Sequence, residues 1–335
     1  MNTINIGVNG FGRIGRQLTK LLLESKNLKL SAINDLSDSI TSSHLFKYDT
    51  SYGPYNGEVY SNENQLIING KKIHKFSEKD PSKINWSDYD IDIVIESTGI
   101  FTNKSDAEKH LRGSVKKVII SAPATDEDVT IVLGVNDDAY ETNKHNIISN
   151  ASCTTNCVAP MIKVINEKFG ITNALMSTIH SFTNDQSVLD QPHSDLRRAR
   201  TASENIIPTT TGAAKAVVNV IPEMKGKIDG MAYRVPTASV SVTDLSLSLK
   251  KDVDVEELNN SLKTASETYL KNIMQYCQDP LVSQDFKGNS HSVIIDSLST
   301  IKTLKGMFKV VGWYDNEWGY ANRTFDLVKL ISSKL

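Results

Sequence analysis

Apolar positions recur at two different periods along this chain, and the switches between them predict its elements. Ile4, Ile6 and Val8 stand at every second residue, a strand signal. Leu18, Leu21 and Leu22 then follow at helical spacing, and Leu28 to Asn34 reads as a second strand. Ile91 to Glu96, Val118 to Ile120, Ile131 to Leu133 and Ile147-Ile148 are short apolar runs, several ending in small polar residues. Buried parallel strands whose C-terminal ends face a ligand crevice have this character. From about 52 to 76 the chain is more polar, and Gln65 to Lys72 predicts an antiparallel excursion. There is no internal repeat and no low-complexity linker.

After residue 150 the pattern changes. Val158, Met161, Ile162, Ile165 and Phe169 form an i, i+3, i+4 stripe closed by Gly170, which predicts a helix. Pro160 inside it predicts a kink or an irregular first turn. Ser239 to Leu249 alternates as a half-exposed antiparallel strand, with a phase slip near Asp244 that reads as a bulge. Met231 to Val235, His291 to Ile295 and Met307 to Trp313 are its candidate partners, and a helix at about Val255 to Leu270 covers one face. Trp318 to Leu335 is predicted helical and is expected to pack back on the first domain. The expected fold is α/β: a Rossmann-type dinucleotide-binding domain (1–150, completed by a C-terminal helix at 316–335) plus an α+β catalytic domain (151–315) with a largely antiparallel sheet.

Composition narrows the functional classes. At 335 residues two domains are the natural expectation. An apolar fraction of 39%, a charged fraction of 23% and a net charge of −2 describe an ordinary globular chain without the basic excess of a nucleic-acid binder. No window reaches the roughly 18 to 20 apolar residues of a membrane span. Met1 to Ile6 lacks the basic and apolar regions of a signal peptide. Three cysteines are too few for a disulfide framework, and a cytoplasmic location is expected.

Two motifs carry chemistry. The first strand runs into Gly10-Phe11-Gly12-Arg13-Ile14-Gly15, a helix follows, and the second strand ends at Asp35, twenty residues after Gly15. This is the full dinucleotide fingerprint. Gly10 permits the tight turn, Gly12 the approach of a pyrophosphate and Gly15 close packing of helix on strand. The helix end offers N–H groups to phosphate, and Asp35 suits ribose hydroxyls. The second motif is Cys153 at a helix N-terminus, where a thiolate is favoured and the thiol pKa is expected to fall. Its neighbours Ser152, Thr154 and Thr155 make a poor core environment, whereas Cys157, beside Val158, reads as structural. A cysteine nucleophile needs a base, and His180, at the end of the strand from Leu175 to Ile179, is the candidate. Thr209-Thr210-Thr211-Gly212, Arg197, Arg198, Arg200 and Arg234 are candidate anion ligands. No C-x-x-C or H-x-x-x-H spacing suggests a metal.

These residues resemble a known family. Asn9 to Arg16, Ser149-Asn150-Ala151-Ser152-Cys153-Thr154-Thr155-Asn156-Cys157, Arg234-Val235-Pro236-Thr237 and Trp313-Tyr314-Asp315-Asn316-Glu317 are similar to the motifs of glyceraldehyde-3-phosphate dehydrogenases, from residue 2 to the end. The resemblance implies that Cys153 attacks the aldehyde of glyceraldehyde 3-phosphate and that His180 serves as base. A thioester on Cys153 then passes to inorganic phosphate, with NAD as cofactor. It implies that Thr183 and Arg234 bind the substrate phosphate. Ser152, Thr154, Thr211 and Gly212 bind the attacking phosphate, with Arg198 near both. Arg13, Ile14, Asp35, Thr98 and Ser121 line the cofactor site with the glycines, and Asn316 holds the nicotinamide amide. The Ser181 to Arg200 loop implies a homotetramer. Gln191 departs from the apolar residue common in NAD-specific members, which bears on cofactor selection. An erythrose 4-phosphate dehydrogenase, or a cofactor-sensing binding protein on the same scaffold, are the alternatives.

Overall fold

The alternation of Ile4, Ile6 and Val8 becomes strand β1 (Ile4–Asn9), and the leucines after it become helix α1 (Arg13–Glu24). The computed structural model describes residues 3–335; Met1 and Asn2, which open the stretch read for a signal peptide, lie outside the described residues. The first half continues with β2 (Leu28–Asn34), α2 (Ser39–Lys47), β3 (Val59–Asn62), β4 (Gln65–Ile68), β5 (Lys71–Phe76), β6 (Ile93–Glu96), α3 (Lys104–Ala107), β7 (Lys117–Ile120), β8 (Val129–Thr130) and β9 (Ile147–Ser149). The second half holds α4 (Cys153–Phe169), β10 (Ile171–Ser181), β11 (Ile207–Thr210), α5 (Ala213–Val220), β12 (Ile228–Val235), β13 (Ser241–Leu249), α6 (Val255–Glu267), β14 (Met274–Cys277), β15 (Val293–Lys302), β16 (Met307–Tyr314) and α7 (Trp318–Ser332).

The chain divides into two units. One holds Met1–Ile131, Asp138–Ala151 and Thr324–Leu335; the other holds Val132–Asp137 and Ser152–Arg323. In the first unit nine strands run in the order β3-β4-β5-β2-β1-β6-β7-β9-β8. From β5 to β8 every pairing is parallel, and β3, β4 and β5 form the antiparallel excursion. Its β4–β5 turn is Asn69-Gly70, with φ of 49° and 76°, the left-handed pair that a tight hairpin needs. Ile6, Val8, Ile33, Ile93, Ile95, Val118, Ile120 and Ile147 are all fully buried, as strands covered on both faces require. Each such side chain contributes about 1.5–3 kcal/mol of burial.

The apolar run Ile131 to Leu133 is buried but is not a strand. The Ile131 amide still donates to the Ser149 carbonyl of β9 at 2.9 Å, but beyond it side chains replace the ladder: Asn136 Oδ1 accepts from the Val132 amide at 2.9 Å and Asp137 Oδ1 from the Gly134 amide at 2.5 Å. Residues 132–137 count with the second unit, where Lys163 Nζ donates to the Gly134 and Val135 carbonyls and Gly134 faces the side chains of Leu270 and Ile273.

The second unit carries a seven-stranded sheet, β11-β12-β10-β13-β16-β15-β14. Only β10–β12 and β14–β15 pair in parallel, so it is largely antiparallel. No bulge occurs at Asp244, which pairs in register with Ser177 and Val311. The alternation is unbroken, with Ser241, Thr243, Leu245 and Leu247 all inward. The phase slip in the sequence arises because the first two inward positions are polar. Of the three candidate partners of β13, Met307 to Trp313 pairs with it directly; Met231 to Val235 pairs with β10 and β11, and His291 to Ile295 joins β14 and β16. Helix α4 runs unbroken through Pro160 with a regular, capped first turn. The ring there removes only the bond it would have donated to the Asn156 carbonyl.

Candidate active site

In the first unit, the glycine turn closes β1 onto α1. Gly10 has φ of 95°, and a Cβ there would lie 2.7 Å from the Thr98 amide nitrogen. A Cβ on Gly15 would lie 2.1 Å from the Gly10 carbonyl oxygen. Protein packing therefore demands glycine at both positions. Gly12 differs: a Cβ there meets nothing within 4 Å. Gly12 is also the N-cap of α1, which has no side-chain cap and no acid in its first turn. An open backbone at an uncapped positive helix end fits a pyrophosphate, so these residues suit a dinucleotide.

Asp35 closes the same turn. Its carboxylate accepts from the Phe11 amide at 2.8 Å and from the Ser37 amide and hydroxyl at 2.9 and 2.6 Å. Burial acts to raise its pKa, but the Ser37 hydroxyl and amide, the Phe11 amide and the Lys75 charge outweigh it and hold the carboxyl below its ordinary value. Arg13 is held by Asp49 at 2.8 Å and lies over the Tyr52 ring. Ile14 is half-buried in the first turn of α1. Thr98 donates its amide to Glu96 at 2.8 Å and its hydroxyl to the same carboxylate; the Ser121 amide bonds the Glu96 carbonyl at 2.9 Å.

Sequence reasoning missed what holds this turn from below. Glu96, buried at the end of β6, also accepts from Asn9 Nδ2 at 2.5 Å, and Asn9 in turn accepts from Asn34 at 2.7 Å. Trp86 Nε1 donates to His110 Nδ1 at 3.0 Å, which leaves the His110 proton on Nε2, 3.2 Å from Glu96. The available signal was that β1, β2 and β6 each end an apolar run in a polar residue: Asn9, Asn34 and Glu96.

In the second unit, Cys153 is the first residue of α4, and Ser152 is its N-cap, accepting from the Thr155 amide at 3.0 Å. Cys153 Sγ lies 3.4 Å from His180 Nε2. Sheet register brings Arg234 to the same place, because His180 of β10 pairs directly with Arg234 of β12. Arg234 Nη1 is 2.8 Å from His180 Nδ1. The expected fall in the thiol pKa does not hold in this structure. Burial pushes the Cys153 thiol up, and the Arg234 charge, the Thr154 hydroxyl and the amides of the helix end pull it only partly back. Burial first, then the Arg234 and Arg198 charges, holds His180 well below its ordinary value. Both shifts act in one direction, toward the uncharged thiol and the uncharged imidazole.

Thr154 Oγ1 and Thr178 Oγ1 lie 2.9 and 2.7 Å from the hydroxyl of Tyr314, which is buried at the end of β16. Tyr314 belongs to a quoted motif, but its role was not foreseen. Ser181 donates its amide to Ser241 Oγ at 3.1 Å, and Ser241 donates to Asn316 Oδ1 at 3.1 Å. These polar residues explain the inward Ser241 that disturbed the strand pattern. Thr211 and Gly212 stand at the N-terminus of α5, capped by Gly212 without a side-chain bond. Thr183 is half-buried, three residues past His180. Arg198 is committed elsewhere: its donors reach Asp185 at 2.5 Å, Thr209 at 2.9 Å and the Thr210 carbonyl at 3.1 Å. Cys157 is fully buried, with Sγ 3.7 Å from the Gly312 carbonyl. No metal-binding cluster occurs among the described residues.

Taken unit by unit, a dinucleotide turn and a cysteine–histidine pair beside a guanidinium are the features of an NAD-dependent oxidoreductase. Family models bear directly on this class. One described as the NAD binding domain of glyceraldehyde 3-phosphate dehydrogenase matches residues 4–104, and one described as its C-terminal domain matches residues 152–316. The chain is 57% identical over 329 residues to glyceraldehyde-3-phosphate dehydrogenase 1 of Bacillus cereus, covering 98% of each chain. It is 55% identical over 331 residues to the glyceraldehyde-3-phosphate dehydrogenase of Geobacillus stearothermophilus, covering 99% of each. The chain belongs to the glyceraldehyde-3-phosphate dehydrogenase family.

Proposed function

We propose that this chain oxidises glyceraldehyde 3-phosphate to 1,3-bisphosphoglycerate with NAD and inorganic phosphate. The observation that carries the reading is the 3.4 Å approach of Cys153 Sγ to His180 Nε2 at the start of α4. Cys153 adds to the aldehyde carbonyl as His180 takes the thiol proton and passes it to the carbonyl oxygen, giving a thiohemiacetal and a neutral imidazole. His180 then removes the hydroxyl proton as the carbon loses hydride, leaving a thioester on sulfur. NAD supplies the hydride acceptor. Inorganic phosphate attacks the thioester, the acyl phosphate leaves, and Cys153 regains its proton. The free N–H groups at the N-terminus of α4 suit the oxyanions of both steps.

Arg234 and Thr183 hold the substrate phosphate in this reading. Ser152, Thr154, Thr211 and Gly212 hold the attacking phosphate, with Arg198 nearby. Two helix N-termini, those of α4 and α5, support a site built for an anion. Gly10, Gly12, Arg13, Ile14, Gly15, Asp35, Thr98, Ser121 and Asn316 hold NAD. The names of the relatives favour glyceraldehyde 3-phosphate over erythrose 4-phosphate. The loop of residues 181–200 exposes Val188, Leu189 and Leu196 to 76%, 72% and 82%. Such an apolar surface suits contact between copies and supports the homotetramer that the family resemblance implies. Among the described residues no helix is long and apolar enough to cross a membrane, and all three cysteines are free thiols, in keeping with the cytoplasm. Steady-state NADH formation with each aldehyde, with and without phosphate, tests the assignment. It fails if turnover is rapid without phosphate or faster with erythrose 4-phosphate.

A further inference from the structure

Strand β5 places a lysine where its alternation calls for an apolar residue. Ile73 and Lys75 are its two inward positions, and Lys75 is only 6% exposed. Lysine is rarely buried to this degree unless its charge is met. Among the described residues the one hydrogen bond of its Nζ goes to the Asp35 carbonyl oxygen, at 3.0 Å, which leaves two of its three donors unspent. Sheet register puts the ammonium there. β5 pairs in parallel with β2, Ile33 opposite Lys75 and Asn34 opposite Phe76, and the Asp35 amide extends the ladder to the Phe76 carbonyl at 3.2 Å. The Lys75 side chain thus ends beside the acid of the dinucleotide turn. Burial pulls its pKa below the ordinary value, and the charges of Asp35 and Asp38 act against that pull. Capping one backbone carbonyl needs a single donor and no charge, so an amide would serve without the cost of burying an ammonium.

We propose that Lys75 offsets the Asp35 charge toward a ribose 2′-phosphate, so that the chain accepts NADP as a second, weaker cofactor. This rests on the reading of Asp35 as the ribose ligand of NAD. A carboxylate at the end of β2 accepts from a ribose hydroxyl and repels a phosphate in its place. Alone, Asp35 excludes NADP. Lys75 adds a cation at the same strand end, and its two unspent donors suit phosphate oxygens. Arg13, on the first turn of α1, is already engaged by Asp49 at 2.8 Å. The Asp35 carboxylate is fixed by the Phe11 amide and by the amide and hydroxyl of Ser37, so it keeps its charge beside either cofactor. NAD therefore stays preferred, and Lys75 sets how far.

The test compares nucleotides that differ only by the 2′-phosphate. The full chain is titrated in a calorimeter with adenosine 5′-monophosphate and with adenosine 2′,5′-bisphosphate, and its turnover is measured with NAD and with NADP. In the wild type the 2′-phosphate is expected to weaken nucleotide binding by less than about tenfold, and kcat/KM with NADP to lie below that with NAD but within about 10²-fold of it, the span of one partly offset charge pair. Lys75→Gln keeps a donor for the Asp35 carbonyl and removes the charge. It is expected to lose a further factor of roughly tenfold for the bisphosphate and for NADP, while the monophosphate and NAD stay within about twofold. Lys75→Arg is expected to restore the wild-type ratios. A wild type without NADP turnover, or a Lys75→Gln variant that changes both nucleotides alike or neither, overturns the proposal alone. Unchanged NAD affinity in Asp35→Ala overturns the ribose reading, and the proposal with it. Because the wild-type measurements stand without any variant, a misfolded Lys75→Gln does not blunt the test.

Discussion

The N-terminus of α1 and the N-terminus of α4 are the same physical object used in opposite ways. At α1 the N-cap is Gly12, with no side-chain cap and open space where a Cβ would be. At α4 the N-cap is Ser152, which satisfies the Thr155 amide, and the first helical residue is the thiol. The first end is left bare, which suits an anion such as the pyrophosphate of a dinucleotide. At the second the protein caps one amide, that of Thr155, and places the Cys153 thiol on the first turn, with partners drawn from distant strands. One end is therefore specified by a few consecutive residues, the other by sheet register.

Substitutions at the second end should have the largest effects. Cys153→Ser is expected to bring phosphate-dependent NADH formation to background, because an alcohol is far less acidic and a weaker nucleophile. His180→Asn is expected to slow turnover by about 10²- to 10⁴-fold, the usual weight of a general base. A stopped-flow measurement of the first turnover checks both, and a near-normal rate for either would break the comparison.

Substitutions at the first end separate packing from binding. Gly15→Ala places a Cβ 2.1 Å from the Gly10 carbonyl, so the turn must move. Both the melting temperature and NAD affinity should fall. Gly12→Ala meets no protein atom, so the melting temperature of the free chain should stay within a degree or two, on the order of 0.5 kcal/mol. NAD binding should nonetheless weaken by roughly tenfold, about 1.4 kcal/mol. Calorimetry of both variants with and without NAD sharpens the contrast; equal destabilisation of the two free chains would erase it.

Legibility followed the same division. The glycine turn, Asp35 and the strands around them lie within one stretch of about thirty-five residues, and spacing alone exposes them. Cys153 and His180 could be nominated by position, but Arg234 as a neighbour of His180 depends on the β10–β12 pairing, which no local pattern encodes. The residues nominated Arg234 as an anion ligand and the resemblance assigned it to the substrate phosphate, but neither pointed to its contact with the imidazole. Glu96, Asn34 and Tyr314 stayed hidden because each is one polar residue closing an apolar run, and its partners lie far along the chain. Ser241 and Thr243 were read as a slipped phase because inward polar residues break the apolar alternation that marks a strand. Ile131 to Leu133 was read as a strand because burial makes residues apolar whether or not their backbone joins a ladder.

Smaller effects test the supporting residues. Tyr314→Phe removes the hydroxyl between Thr154 and Thr178 and should cost about 1 kcal/mol of stability. It should also raise the KM for inorganic phosphate several-fold while leaving that for NAD unchanged. Asp35→Ala removes a carboxylate held ionised beside the turn and should narrow the NAD-over-NADP preference by roughly tenfold. A wild type that reduces NADP as well as NAD would contradict that role. Iodoacetamide labelling should reach Cys153 before Cys277 and Cys157, which are 8% and 0% exposed. Peptide mapping reads the order.

The central claim, that Cys153 carries the acyl group, is tested most directly by one intact-mass experiment. The chain is mixed with glyceraldehyde 3-phosphate and NAD in the absence of phosphate, quenched in acid, and its mass and NADH yield are read together. The account predicts one NADH per chain, an adduct of one phosphoglyceroyl group that maps to Cys153, and loss of that adduct when inorganic phosphate is added. Continued NADH formation without phosphate, or an adduct absent or on another residue, would contradict it.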